Sequence, residues 1–233
     1  MSSSQPIGRM GIPVGEQSVD ARAVFITRTY NHLMGAIVAF VGIELFLFGS
    51  GLADTIAEVL LGGSWLVVLG AFMLIGWMAN NVAARSESMG AQYLALAGYV
   101  VADAIIFVPM LYIADSTAPG VIQSAAAVTL LGFAGLTAIV FVTRKDFSFL
   151  RSMLMFSGVL AVVAIFGSVL FGFELGTWFS VAMVGFAGGA ILYDTSNVMH
   201  RYPEDRYVAA ALSLFASVAL LFWYVLRLFM SRD

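Results

Sequence analysis

The sequence predicts an all-α integral membrane protein of seven transmembrane helices, with its N-terminal side facing the cytoplasm. Three observations predict it. Hydrophobic residues make up 61% of the 233 positions and charged ones only 11%, against about 45–50% and about 25% in a soluble domain. Apolar stretches near the ~20 residues needed to cross ~30 Å of hydrocarbon recur seven times. Basic residues fill alternate connections and are missing from the others.

Residues 1–23 read as a polar N-terminal tail, with Pro6 and Pro13 and without the apolar core of a signal peptide. Residues 24–233 read as one transmembrane domain. The segments run about 30–52, 59–80, 90–113, 119–143, 150–173, 176–199 and 207–230. Asp54 and Glu58 separate the first two, and Arg85 and Glu87 the next. Asp115, Pro119 and Gly120 end the third, and Arg144, Lys145, Asp146 and Arg151 mark the fourth break. Glu174 marks the fifth, and Arg201, Glu204, Asp205 and Arg206 the sixth. Lys and Arg therefore gather before the first segment (Arg9, Arg22, Arg28) and in the second, fourth and sixth connections. The first, third and fifth connections have none, which sets the orientation. Arg227 and Arg232 run against that pattern at the far end. A seventh segment that dips in and returns stays open beside a full span. Pro109 is expected to kink the third segment or free carbonyls there. Gly185 and Gly189 form a G-x-x-x-G pair, read as ordinary helix packing.

Composition also excludes chemistry. A net charge of −3 offers no basic surface for nucleic acid. Without cysteine there is no thiol nucleophile or zinc thiolate site, and two histidines, His32 and His200, do not make a transition-metal site. No phosphate-loop, dinucleotide or metalloprotease motif occurs. Every connection is short, leaving no room for a catalytic domain outside the membrane. The expectation is a protein that is not an enzyme and takes no cofactor or resident metal. Its partners are then the lipid bilayer, together with calcium or protons, or another membrane protein.

The informative residues are polar groups in the wrong solvent: His32, Glu44, Asp103 and Asp194. Ionisable groups within a span are costly, so each is a functional candidate. Asp194 lies six residues before Arg201, roughly 10 Å inside that boundary. Asn81, Arg85, His32 and Ser217 fall at depths from which each can meet it. Ser213 and Ser217 share a helix face at i and i+4. Asp194 is either a structural tie or a gating carboxylate. A site caught between burial and a nearby cation can change charge near neutral pH. Glu44 and Asp103 read as inward-facing buried polar groups, serving structure, a subunit contact or a proton or cation path.

The C-terminal half carries a resemblance in three stretches: Thr143 to Leu150, the turn into the fifth segment; Gly189 to Thr195, late in the sixth; and Ala211 to Phe215 through Leu226 to Phe229, in the seventh. On these the chain resembles the Bax-inhibitor family, in a bacterial-type form; the first three segments are similar in hydropathy and topology alone. The resemblance implies seven helices, one of them central and wrapped by the others. It implies a bacterial inner membrane and a function as a pH-sensitive calcium leak. The sensor is then an aspartate pair, one late in the sixth helix and one in the seventh, with a basic latch from the second. Asp194 matches the first aspartate, Ser217 stands where the second is expected, and Arg85 or Asn81 stands for the latch. Ser217 departs from the pattern, because a lone carboxylate has no partner with which to share a proton. Other bacterial members bind membrane-embedded proteases, and eukaryotic ones oppose stress-induced cell death. Both imply a regulator or accessory subunit as the alternative.

Overall fold

The computed structural model describes residues 12–231 as a bundle of eight α-helices. Ser18 begins α1 (Val19–Gly49) by accepting a hydrogen bond from the Ala21 amide at 3.3 Å, which satisfies one of the free donors at a helix start. Gly51 takes a left-handed conformation to turn the chain into α2 (Leu52–Gly62). Next come α3 (Trp65–Arg85) and α4 (Met89–Thr117), the latter started by Ser88. The bundle is completed by α5 (Val121–Thr143), α6 (Leu150–Phe171), α7 (Thr177–His200) and α8 (Tyr207–Met230).

The second apolar segment is shifted from its expected limits of 59–80. Its helix starts at Trp65, and the residues before it form α2, a separate helix of 11 residues. The cause is amphipathicity. Ala53 and Ala57, one turn apart, are buried with Leu47 and Val108, while Asp54 and Glu58 face outward on the same helix. The two acids decorate a helix and do not mark a loop.

Among the described residues, six helices are long and apolar enough to cross a membrane: α1, α3, α4, α5, α6 and the helix ending at Met230. α7 has 24 residues, about 36 Å of helix, but its glycines and its Asp194, Thr195, Ser196 and Asn197 make it less apolar. Of the basic residues used to orient the chain, Arg9 and Arg232 lie outside the described residues, as do residues 1–11 of the expected tail.

The helices pack around α8. Over an 18-residue apolar stretch of Glu204–Met230, 72% of residues are buried, against 6% for α6, and α8 touches α1, α3, α4, α5 and α7. α8 is thus the inner element, and α6 faces lipid on most sides. Large apolar side chains such as Leu45, Leu131, Val142 and Phe171 point outward, as an oily solvent permits. Aromatic contacts fix the register: His32 meets Tyr207, Phe40 and Tyr99 meet Phe215, and Phe107 meets Trp223. α1, α4 and α8 therefore run parallel through the bundle. Gly189 lies under Leu154 of α6, whereas Gly185 has nothing close to it, so these glycines do not form a shared close-approach face.

Candidate functional site

Asp194 faces α8 from the fifth turn of α7. Ser217 Oγ donates to its Oδ2 at 2.6 Å, and Asp194 is half-buried. A charge-assisted bond of this length is among the stronger hydrogen bonds available. Ser213, one turn earlier on the same face, pairs with Tyr202 Oη at 3.1 Å. Burial, and behind it the charge of Asp194, push the Tyr202 phenol up to about 12. That keeps it protonated.

The other residues named for this site lie elsewhere. His32 pairs with Tyr93 Oη at 2.7 Å and with the Arg28 carbonyl at 2.7 Å. Arg85 is exposed at the end of α3, and Asn81 is half-buried on the same helix. Among the described residues neither makes a hydrogen bond or ion pair with Asp194. Of the four groups placed at its depth, the structure brings Ser217 alone into contact with it.

Two further layers close the same end of the bundle, neither of them expected from the sequence. Residues 12–18 fold back as a strap: Val14 is fully buried, its amide donates to the Tyr202 carbonyl at 2.9 Å, and Pro13 bridges Pro203. Gly15 is required there, because a Cβ would lie 2.8 Å from the His200 carbonyl oxygen. Arg22 reaches back to the Gly15 carbonyl. On the far side, Arg201 pairs with Asp146 at 3.1 Å, and Ser196 accepts a bond from the Phe147 amide at 3.0 Å. The Ser148 amide, followed by Arg201, holds the Asp146 carboxyl below its ordinary range. Proline, glycine and polar residues in 12–18 gave no periodic signal that could have revealed the strap.

Glu44 and Asp103 come together. The parallel register places both at the level of Ala219 of α8. Both are buried, and Glu44 Oε1, Glu44 Oε2 and Asp103 Oδ2 have no hydrogen-bond partner. Asp103 also lines a cavity of about 580 Å³ between α3 and α6, with α4 and α8 behind it.

The family model described as inhibitor of apoptosis-promoting Bax1 matches residues 22–233. An uncharacterised protein of Pseudomonas aeruginosa is 36% identical over 122 residues, covering 51% of this chain and 54% of that protein. The modulator of FtsH protease YccA of Escherichia coli is 35% identical over 116 residues, 48% of this chain and 52% of that protein. The Golgi anti-apoptotic protein of vaccinia virus is 24% identical over 226 residues, 94% of this chain and 90% of that protein. The chain spans about half the length of the two bacterial relatives it matches.

Proposed function

Because this chain belongs to the Bax inhibitor family, we propose that it is a non-catalytic regulator of another membrane protein, with the α7–α8 contact as its working part. The observation that carries this reading is the Asp194–Ser217 bond. A hydroxyl in place of a second acid gives the carboxylate a donor. It removes the like-charge repulsion that would make the pair release and take up a proton. The strap over the Tyr202 turn and the Arg201–Asp146 pair brace the same contact. The contact then acts as a fixed docking frame at the basic end of the bundle. By positive-inside reasoning that end faces the cytoplasm, with seven spans in a bacterial inner membrane. The Escherichia coli relative is named as a modulator of FtsH protease, so a membrane-embedded protease is the first partner to test. Purification in mild detergent from cells co-expressing FtsH is expected to recover both proteins, and overexpression of the chain to change the lifetime of an FtsH substrate. Recovery of the chain as a lone monomer, with substrate lifetime unchanged, would count against the reading.

A second reading keeps Asp194 as a pH-responsive gate for calcium or protons. It is supported by the half-burial of Asp194 and by the absence of any basic group bonded to it among the described residues. Calcium flux into liposomes that Asp194→Asn alters is its expected signature. Liposomes that stay tight at every pH with the native chain would remove it.

A further inference from the structure

The cavity beside Asp103 lies away from the Asp194 contact and is not used by it. Its walls are aromatic: Trp65 and Phe72 from α3, Tyr99 and Phe107 from α4, and Trp223 and Tyr224 from α8. The rings are braced against one another, Trp65 stacking on Trp223 at 6.3 Å and Phe107 meeting Trp223 edge-on at 4.9 Å. At about 580 Å³ the space falls in the range of small-molecule sites, about 300–1,000 Å³.

One polar group sits deep in this apolar wall. Asp103 is 3% exposed and its Oδ2 has no partner. Behind it is Glu44, also buried, with both oxygens unpartnered. Buried acceptors without donors are expensive, and their cost is relieved by whatever brings donors or positive charge. The nearest fixed cation on the cavity wall is Arg227, whose guanidinium donates to the Leu175 carbonyl at 2.8 Å. Phe107 and Trp223 mark a common level; Asp103 lies one turn to one side and Arg227 one turn to the other, about 12 Å apart along the helices. Arg227 and Glu174 stand at the outer rim, and Asp103 at the inner end.

The donor set argues against a metal ion. Calcium takes six to eight oxygen ligands, and no cluster of three or more metal-ligating side chains occurs among the described residues. Around Asp103 the wall is ring and hydrocarbon, which neither coordinates nor hydrates an inorganic ion, and Glu174 and Arg227 lie away from it at the rim. The wall suits an organic cation, because hydrocarbon packs on it and aromatic faces attract ammonium groups. We propose that this cavity binds a small aromatic or aliphatic amine, its ammonium directed at Asp103 and its apolar body held against the wall formed by Trp65, Phe107 and Trp223. The Asp103 carboxylate, with its orphan Oδ2, then gains N–H donors, and the space beside the rings fills with hydrocarbon.

The test uses the full chain in nanodiscs with three probes of one shape: phenethylammonium, phenethyl alcohol and phenylacetate, each corrected for partition into empty discs. Binding is read by calorimetry and by the emission of Trp65 and Trp223, in a Trp77→Phe, Trp178→Phe background. Phenethylammonium is expected to bind saturably, and the neutral and anionic analogues about tenfold or more weaker. Asp103→Asn is expected to erase that preference. Equal binding of the alcohol would mean an apolar void that takes any hydrocarbon, and would overturn the proposal. So would the lack of saturable binding by phenethylammonium, or a preference that survives Asp103→Asn. Should Asp103→Asn fail to fold, the ranking of the three probes on the native chain still decides.

Discussion

Asp194 and Ser217 act as one unit, so their substitutions are expected to be unequal. Ser217→Ala removes the donor and leaves a half-buried acceptor without its protein partner, at a cost of about 1 kcal/mol. Asp194→Asn keeps an acceptor oxygen for the same hydroxyl and is expected to cost less. Thermal unfolding in detergent checks the order; a Ser217→Ala protein as stable as the native one would mean the bond holds nothing. Gly15→Ala addresses the strap. Its Cβ would collide with backbone at His200, so the strap is expected to lift while the helices stay intact. Faster proteolysis near residues 12–18, with an unchanged melting temperature, is the signature. The Asp194–Ser217 contact was within reach of the sequence, because the depth of each residue could be counted from flanking charges. Arg85 passed the same count but points away from the bundle, since depth says nothing about which face of a helix a side chain occupies. The meeting of Glu44 with Asp103 was hidden for the same reason.

The α5–α6 turn shows how an element end is held. Arg144 closes α5 in a left-handed conformation at φ 52°, where its amide bonds the Val140 carbonyl at 2.8 Å. A non-glycine residue there costs about 1–2 kcal/mol. Arg144→Gly is therefore expected to stabilise the turn, by about 1 kcal/mol or less once glycine's added freedom in the unfolded chain is counted. Chemical denaturation of the two proteins reads the difference. Two residues on, Asp146 joins this turn to Arg201 at the end of α7. Its carboxyl is held below its usual range, chiefly by the Ser148 amide. The support is thus complete above the ordinary aspartate value, about 3.9, and is lost as pH falls through the lower folded value. The Arg201–Asp146 contact is expected to persist at neutral pH and open under acid, seen as faster amide exchange at Phe147 and Ser148. Element existence was largely legible, because ~20-residue apolar runs have few alternatives. α2 was not, since charged residues read as punctuation unless their spacing against Ala53 and Ala57 is weighed.

At the scale of the molecule, the open matter is how α8 crosses, because Arg227 near its far end runs against the charge pattern of the connections. α8 is unbroken from Tyr207 to Met230, about 36 Å of helix, and it is the most enclosed long helix of the bundle. A segment that turned back would need a break that this helix lacks. It would also return Arg227 toward the basic end, yet Arg227 donates to Leu175, in the connection at the opposite end. That bond accounts for the exception, because the guanidinium is held by a backbone carbonyl at the rim and need not reach the basic side. The chain contains no cysteine, so single cysteines report topology without background. In intact cells a membrane-impermeant maleimide is expected to label Glu174→Cys and Ser231→Cys, and to label Lys145→Cys and Glu87→Cys only after the inner face is opened. Labelling of Ser231→Cys together with Lys145→Cys would mean that α8 re-enters. The cavity rim at Arg227 would then face the same side as the Asp194 contact.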